Sequence, residues 1–155
     1  MSTAANLIKD FGIKLGFSQP LLFNEKNQIR INVDKNIDID IEQTPTGDAL
    51  HIFCVLDQIP PEHLALLASD MLQANFFGQG THGNTLCIDP ATHELILFKT
   101  IATPYAGVDQ LIASLEALVE SAAEWRQRLE GAPAALSSNA APSDSINLQW
   151  MNSRA

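Results

Sequence analysis

Long apolar runs are missing from this chain. The longest uninterrupted ones, residues 52–56 and 64–68, have five residues each, whereas a helix that spans a bilayer needs about 18 or more. Lys9, Asp10 and Lys14 interrupt the N-terminal segment, so it lacks the apolar centre of a secretory signal peptide. We therefore expect no membrane insertion.

Cysteines and basic residues are also scarce. Cys54 and Cys87 are the only two cysteines, each within an apolar run and neither in a CxxC pair, which predicts buried thiols in a reducing compartment rather than a disulfide framework. Nine Lys and Arg stand against 18 Asp and Glu, for a net charge of −9. We expect no nucleic-acid binding, which depends on clustered cations, and a cytoplasmic location.

The hydrophobic pattern along the 155 residues is that of one globular domain. Helical spacing predicts helices over residues 3–15, 60–77 and 108–129, and short apolar or alternating runs predict strands over 21–23, 29–33, 37–42, 50–56, 85–88 and 95–101. Short polar turns join most consecutive strands, which makes them antiparallel. The sequence predicts an α+β fold, an antiparallel twisted sheet with three helices in the order α-β-β-β-β-α-β-β-α.

The last 25 residues, from Gly131 to Ala155, differ from the rest in composition. They are rich in Ala, Ser and Pro and show no sustained period, which is typical of disorder. We predict a domain over residues 1–130 and a disordered tail over residues 131–155. Ile146 to Met151 contains Leu148 and Trp150, so a short partner-binding segment is an alternative for that stretch.

Residues 78–83, Gly-Gln-Gly-Thr-His-Gly, match the GxGxxG pattern of dinucleotide-binding loops. That motif needs a strand before it and a helix after it, so that phosphates meet a helix N-terminus. Here a predicted helix precedes the glycines and a predicted strand follows them. We expect a helix stop and a flexible glycine loop, with no bound cofactor.

Asp38, Asp40 and Glu42 share one face of a predicted strand, with neighbours about 6.5–7 Å apart. This spacing suits a glycosidase pair or a calcium site, but it is also that of the solvent face of a half-buried strand, which we favour. The four histidines form no i, i+4 pair, no HExxH motif and no cluster with cysteine, and no GxSxG sequence occurs. The sequence predicts no metal site and no enzyme.

A longer motif covers residues 72–90, Leu-Gln-Ala-Asn-Phe-Phe-Gly-Gln-Gly-Thr-His-Gly-Asn-Thr-Leu-Cys-Ile-Asp-Pro. It resembles the signature region of class I type III secretion chaperones, the Tir-chaperone (CesT) family, in which a helix ending in LxANF leads to a GxGTxGxTL loop, a strand and a turn at Asp-Pro. Leu15-Gly16-Phe17 resembles the end of the family's first helix, and Ala123 to Arg126 resembles part of its last. The resemblance covers roughly residues 3–130, and the tail is longer than the family usually has.

The resemblance implies a small acidic homodimer of the bacterial cytoplasm with no enzymatic activity. Such a protein binds the N-terminal region of a type III secreted effector in extended form, keeps it secretion-competent, and delivers it to the secretion apparatus and its ATPase. A non-secretory protein–protein adaptor of the same fold is the alternative.

The resemblance also implies two surfaces. The first helix and early strands are expected to bind the effector, through Leu7, Phe11, Leu22, Phe23, Ile29 and Ile31. The middle helix is expected to form the dimer interface, through Leu64, Leu67, Met71, Leu72, Asn75 and Phe76. Two features of the sequence agree: an edge strand such as 21–23 can accept an extended peptide, and the apolar residues of the middle helix spread wider than one stripe. For each of the six residues assigned to effector binding, the alternative is a place in the hydrophobic core of the chain itself.

Overall fold

The computed structural model describes residues 3–33, 36–131 and 146–148. Its elements are α1 (Ala4–Lys14), β1 (Gln28–Val33), β2 (Ile37–Gln43), β3 (Ala49–Gln58), α2 (Pro61–Asn75), β4 (Thr85–Ile88), β5 (Glu94–Ala102), α3 (Val108–Gly131) and β6 (Ile146–Leu148). The strands are hydrogen-bonded in the order β4-β5-β3-β2-β1-β6. The predicted class, three helices with an antiparallel sheet, is confirmed; β6 is an addition that runs parallel to β1.

The strand predicted over residues 21–23 is wrong. Within the described ranges the segment is assigned to no strand, and the Asn24 side chain organises a turn directly after it: its Oδ1 accepts hydrogen bonds from the amides of Lys26 (2.9 Å) and Gln28 (3.0 Å). Leu21 is buried, and a Cβ at Gly12 would lie 3.4 Å from its Cγ. Packing against α1, and not a ladder of backbone hydrogen bonds, therefore holds the segment in position.

The chain divides into two compact units, of which the first takes in residues up to Ile52, Thr100–Glu116 and the segment from Asp144. α1 begins at Thr3, whose Oγ1 accepts from the Asn6 amide (3.3 Å). It ends in the predicted glycine cap, since Gly16 has φ 75° and the Phe17 amide donates to the Gly12 carbonyl (3.1 Å). The apolar residues of α1, β1 and β2 form the interior, with Leu7, Ile8, Phe11, Ile29, Ile31, Val33, Ile37, Ile39 and Ile41 all buried.

The second unit takes in Phe53–Lys99 and Ala117–Ser143. β4 and β5 form an antiparallel hairpin with Thr85 opposite Phe98 and Ile88 opposite Leu95. Its interior is apolar and comes from every element of the unit, with Cys54, Leu56, Leu67, Met71, Leu86, Leu95, Leu97, Leu118, Val119, Ala122, Trp125 and Leu129 buried. The stripe predicted for the last helix is the buried face of α3.

None of the helices in the described ranges is long and apolar enough to cross a membrane. Residues 132–145 and 149–155 lie outside the described residues, so the domain boundary at residue 130 and the disorder expected for most of the tail stay predictions.

Candidate functional site

The three strand carboxylates of β2 are partners of β1. The Arg30 guanidinium binds both oxygens of Asp40, with Nε–Oδ1 and Nη2–Oδ2 distances of 2.7 Å each, and Asp40 is buried. The other two pairs are Gln28 with Glu42 (2.9 Å) and Asn32 with Asp38 (2.7 Å). Each carboxylate therefore has a cross-strand partner, which is the arrangement of a structural ladder and not of a pair poised for acid–base chemistry.

The glycine loop is fixed by hydrogen bonds to its own residues and to α3. The Trp125 indole N–H donates to the Gly80 carbonyl (2.9 Å), and the buried Asn84 donates to the carbonyls of Thr81 (2.7 Å) and Ala117 (3.2 Å). Gly78 and Gly83 have φ of 68° and 78°, a conformation that favours glycine. The loop is a packed connection between α2 and β4, in which the amides of residues 79–81 and of Gly83 donate to backbone carbonyls.

His82 lies at the outer side of this loop, between two carboxylates of α3. Its Nδ1 is 3.7 Å from Glu120 Oε2 and its Nε2 is 3.2 Å from Glu124 Oε1. The three side chains are exposed, and their ligand atoms all lie within 4.8 Å of one another. Sequence spacing could not find this cluster because 38 residues separate His82 from Glu120 (120 − 82). Each ring nitrogen faces a different carboxylate of α3.

The two cysteines are not joined by a disulfide. Cys54 is buried and Cys87 is half-buried. Burial raises the pKa of the Cys87 thiol, and the nearby charge of Asp89 raises it further. Since the thiolate is the reactive form, Cys87 is poorly suited to nucleophilic or redox chemistry.

A cavity of about 360 Å³ lies on the second unit, lined in part by Leu67, Asp70, Ala74, Trp125 and Arg128. The Arg128 guanidinium lies 5.0 Å from the centre of the Trp125 ring, in cation–π geometry. This cavity holds one carboxylate and one guanidinium, with no nucleophile and base beside each other.

The six residues predicted to bind an effector all belong to the first unit, but they differ in exposure. Leu7, Phe11, Ile29 and Ile31 are buried, so contact with a partner would require these side chains to become accessible. Leu22 is 78% exposed and Phe23 is half-buried. The assignment of the six stays a prediction, and Leu22 and Phe23 are the members that a partner can reach directly.

A seventh residue, Ile13, extends this exposed region. It is 67% exposed near the end of α1 and belongs to the same unit as Leu22 and Phe23. It directly follows Gly12, where an added Cβ would lie 3.4 Å from Leu21 Cγ, and Leu22 directly follows Leu21. We call Ile13, Leu22 and Phe23 the α1 surface.

The residues predicted for the dimer interface lie on two sides of α2. Leu67 and Met71 are buried, Leu64 and Asn75 are half-buried, and Leu72 and Phe76 are 73% and 60% exposed. The Asn75 amide is engaged within the chain, since its Nδ2 donates to the Leu86 carbonyl (3.0 Å) and its Oδ1 accepts from the Leu86 amide (2.8 Å). The interface assignment stays a prediction.

Two further apolar residues of the middle-helix pattern, which the predicted interface list does not contain, are also exposed. Leu66 is 73% exposed and Phe77 is 85% exposed, and the rings of Phe76 and Phe77 are tilted with centroids 4.5 Å apart. Phe77 has φ 50°, a left-handed conformation that is strained for a bulky side chain and recurs at functional positions. We call Leu66, Leu72, Phe76 and Phe77 the α2 surface. The double Phe before the glycines was the signal for it.

The fold is that of a small α+β protein that exposes large apolar side chains on the α1 and α2 surfaces. The chain is similar to a chain of the HopA1–SchA chaperone–effector complex, at 19% identity and a TM-score of 0.65 over 78% of this chain and 91% of that one. It is similar to a chain of the Yersinia pestis complex of the type III secretion chaperone SycH with a YscM2 fragment, at 20% identity and a TM-score of 0.62 over 79% of this chain and 98% of that one.

A third similar structure is a chain of the Pseudomonas aeruginosa ExoU–SpcU complex from the type III secretion system, with 18% identity and a TM-score of 0.59 over 79% of this chain and 93% of that one. No curated protein sequence matches the chain at a significant level. The model of the Tir chaperone protein (CesT) family matches residues 6–126. The chain belongs to that family, as the motif at residues 72–90 predicts.

Proposed function

We propose that this protein is a bacterial cytoplasmic chaperone that binds the N-terminal region of a type III secreted effector in extended form. It keeps that region secretion-competent and delivers it to the secretion apparatus and its ATPase. The observation that carries the proposal is the family match over residues 6–126. The similar structures support it, since they include a chaperone–effector complex and a secretion chaperone bound to a fragment of another protein.

The α1 surface is the place where the client is proposed to bind. Ile13 and Leu22 expose large aliphatic side chains, and burying one such side chain stabilises a complex by about 1.5–3 kcal/mol. β1 belongs to the same unit. β6 pairs with it only at residues 31–33, and strand addition along this edge is the way in which its backbone would hold an extended segment. Exposed apolar side chains and a strand edge are together suited to holding an unfolded segment.

The proposed activity involves no catalysis. The support comes from the carboxylate row of β2, where acid–base chemistry was considered. There the Nε and Nη2 atoms of Arg30 each lie 2.7 Å from an oxygen of Asp40. A carboxylate held in this way is unsuited to act as a general base.

We further propose that two copies associate through the α2 surface. One side of α2 is buried in its own unit through Leu67 and Met71, while Leu72 of α2 and Phe76, directly after its end, remain exposed. Exposed apolar groups of this size mark an interaction surface. When a second copy of the chain packs its own α2 surface against this one, the exposed apolar side chains of both molecules are buried together, as in an isologous interface.

The client proposal is tested by expressing the tagged full chain with the host's secreted proteins and identifying what co-purifies by mass spectrometry. We expect a secreted protein whose protected segment, mapped by limited proteolysis, lies near its N-terminus. Leu22→Asp places a charge in the α1 surface, so we expect at least tenfold less client on the resin, on the order of 1.4 kcal/mol of binding free energy.

Recovery of a non-secreted regulatory partner would instead support the adaptor alternative. Undiminished client recovery by Leu22→Asp would show that the α1 surface is wrongly placed. Because Leu22 is 78% exposed, the variant should keep its circular dichroism spectrum and its oligomeric mass, which separates lost binding from lost folding.

The dimer proposal is tested by sedimentation equilibrium of the 16.9 kDa chain and of the double variant Leu72→Asp/Phe76→Asp. We expect a dimer for the wild type and, for the variant, a dimer dissociation constant raised at least tenfold by burial of two carboxylates. Leu22→Asp serves as the matched control, as an apolar-to-Asp change outside the α2 surface. A monomeric wild type at micromolar concentration contradicts the dimer, and an unchanged variant contradicts this interface.

A further inference from the structure

We propose that the tail of this chain acts as an internal competitor for the client: β6 occupies the edge of β1 where an extended client strand would add. The proposal rests on the proposed function, since the client is the ligand with which the tail competes. It assigns a role to a segment that lies beyond the part of the chain matched by the family model, residues 6–126.

The first observation is the pairing itself. β6 runs parallel to β1 and lies at the end of the strand order, with β2 on the other side of β1. The paired residues are Ile31 with Ile146, Asn32 with Asn147 and Val33 with Leu148. The paired positions therefore hold residues of the same type in the two strands, aliphatic with aliphatic and asparagine with asparagine.

The second observation comes from the sequence and is independent of the pairing. Residues 146–150, Ile-Asn-Leu-Gln-Trp, alternate between apolar and polar within a tail rich in Ala, Ser and Pro. Alternation of this kind is the pattern of a strand with one apolar face. The tail therefore contains one short strand sequence, and that is the sequence found on β1.

The edge of β1 is also where strand addition is expected on physical grounds. Without β6, the outer N–H and C=O groups of β1 have no strand beside them, and a bare edge of this kind accepts extended peptides. β6 covers three of the six residues of β1. It uses the same backbone groups that a client strand needs, so the two ligands exclude each other over this stretch.

The strength of the competition is set by the connection. Fourteen residues, 132–145, join α3 to β6, and a connection of this length keeps a segment at an effective concentration on the order of millimolar. A three-residue ladder is weak on its own, so a client with a longer strand and apolar anchors displaces it. Short or poorly matched segments do not displace β6. The tail therefore sets the minimum affinity that a client strand needs in order to bind at β1.

The first test measures hydrogen exchange of the full chain. Asn147→Pro/Leu148→Pro removes two consecutive strand amides, and since successive amides point to opposite sides of a strand, one of them must face β1. Asn152→Pro/Ser153→Pro is the matched control outside β6. We expect faster exchange in the peptide covering residues 28–33 for the first variant only. Equal exchange in the two variants would overturn the proposal.

The second test uses a synthetic fluorescent peptide of residues 144–151, Asp-Ser-Ile-Asn-Leu-Gln-Trp-Met, added in trans. We expect the Asn147→Pro/Leu148→Pro chain to bind it about tenfold more tightly than the wild type or the control variant, because its own tail no longer competes. Equal affinities for all three chains, or no binding to any of them, would overturn competition at this edge.

Neither test needs the client, so a failure of the proposed function is distinguishable from a failure of this inference. If exchange and peptide binding behave as expected while no secreted protein co-purifies, the tail is an edge cover and the chaperone proposal is wrong. If a client is found but binds both proline variants equally, the chaperone proposal stands and competition is wrong.

Discussion

Replacement of Trp125 by Ala is expected to lower the free energy of unfolding by about 3–5 kcal/mol, the range measured when a buried aromatic side chain is truncated in a core. Trp125 is 2% exposed, and its indole N–H donates to the Gly80 carbonyl at 2.9 Å. The substitution therefore leaves a cavity beside α3 and an unpaired carbonyl in the glycine loop. The loss is measured by urea denaturation monitored by circular dichroism. Tryptophan fluorescence is not used as the probe, because removal of Trp125 itself alters the fluorescence signal.

Two further variants separate the causes. Trp125→Phe keeps a ring but removes the donor, so we expect a smaller loss of about 1–3 kcal/mol. Gln127→Ala changes an exposed residue of the same helix and should stay within about 0.5 kcal/mol of the wild type. All variants need one protein concentration, because association would raise the apparent stability. A loss below about 1 kcal/mol for Trp125→Ala would contradict the packing described for α3.

Gly78→Ala is expected to destabilise the fold by about 3 kcal/mol. Gly78 has φ 68°, and a Cβ there would lie 2.7 Å from the Cα of Gly83, a backbone atom that cannot move aside cheaply. The left-handed conformation contributes about 1–2 kcal/mol for an L-residue, and overpacking contributes about 1–3 kcal/mol more. The measurement is again urea denaturation at fixed protein concentration.

Gly83→Ala is the matched control for this variant. Gly83 has φ 78°, but a Cβ there would meet only Lys99 Nζ, at 3.9 Å. The control isolates the conformational contribution, so we expect a loss about 2 kcal/mol smaller than for Gly78→Ala. Equal losses would show that the close approach of Gly78 to Gly83 does not exist in solution.

Much of the fold follows from local patterns in the sequence. The stripe of α3 and the alternation of β1 and β2 predict elements whose bounds lie within a few residues of those observed, because each pattern matches one period and one buried face. The strand predicted over residues 21–23 fails for a physical reason: an apolar run predicts an extended segment, but not whether a neighbouring strand exists to pair with it. The Asn24 side chain, which turns the chain at once, decides the outcome.

The candidate surfaces could be predicted only in part. An amphipathic stripe such as the one containing Phe11 looks the same whether it faces a core or a client, and only burial in the folded chain tells them apart. The glycine pattern predicts a helix stop and a loop, but it cannot predict that Trp125, 45 residues beyond Gly80, holds the loop by its indole. Long-range contacts of this kind produce no characteristic spacing of residues in the sequence.

The side chain of Asn75 has a consequence for how copies of this protein can assemble. Its amide donates to and accepts from the backbone of Leu86, so it stands in for one residue of a neighbouring strand along β4, the last strand at its end of the order. Sheets with uncovered last strands can add further copies without limit and grow into fibres. A peptide-like side chain on β4 works against such growth, which favours closed assemblies of few copies over polymers even when the protein is concentrated.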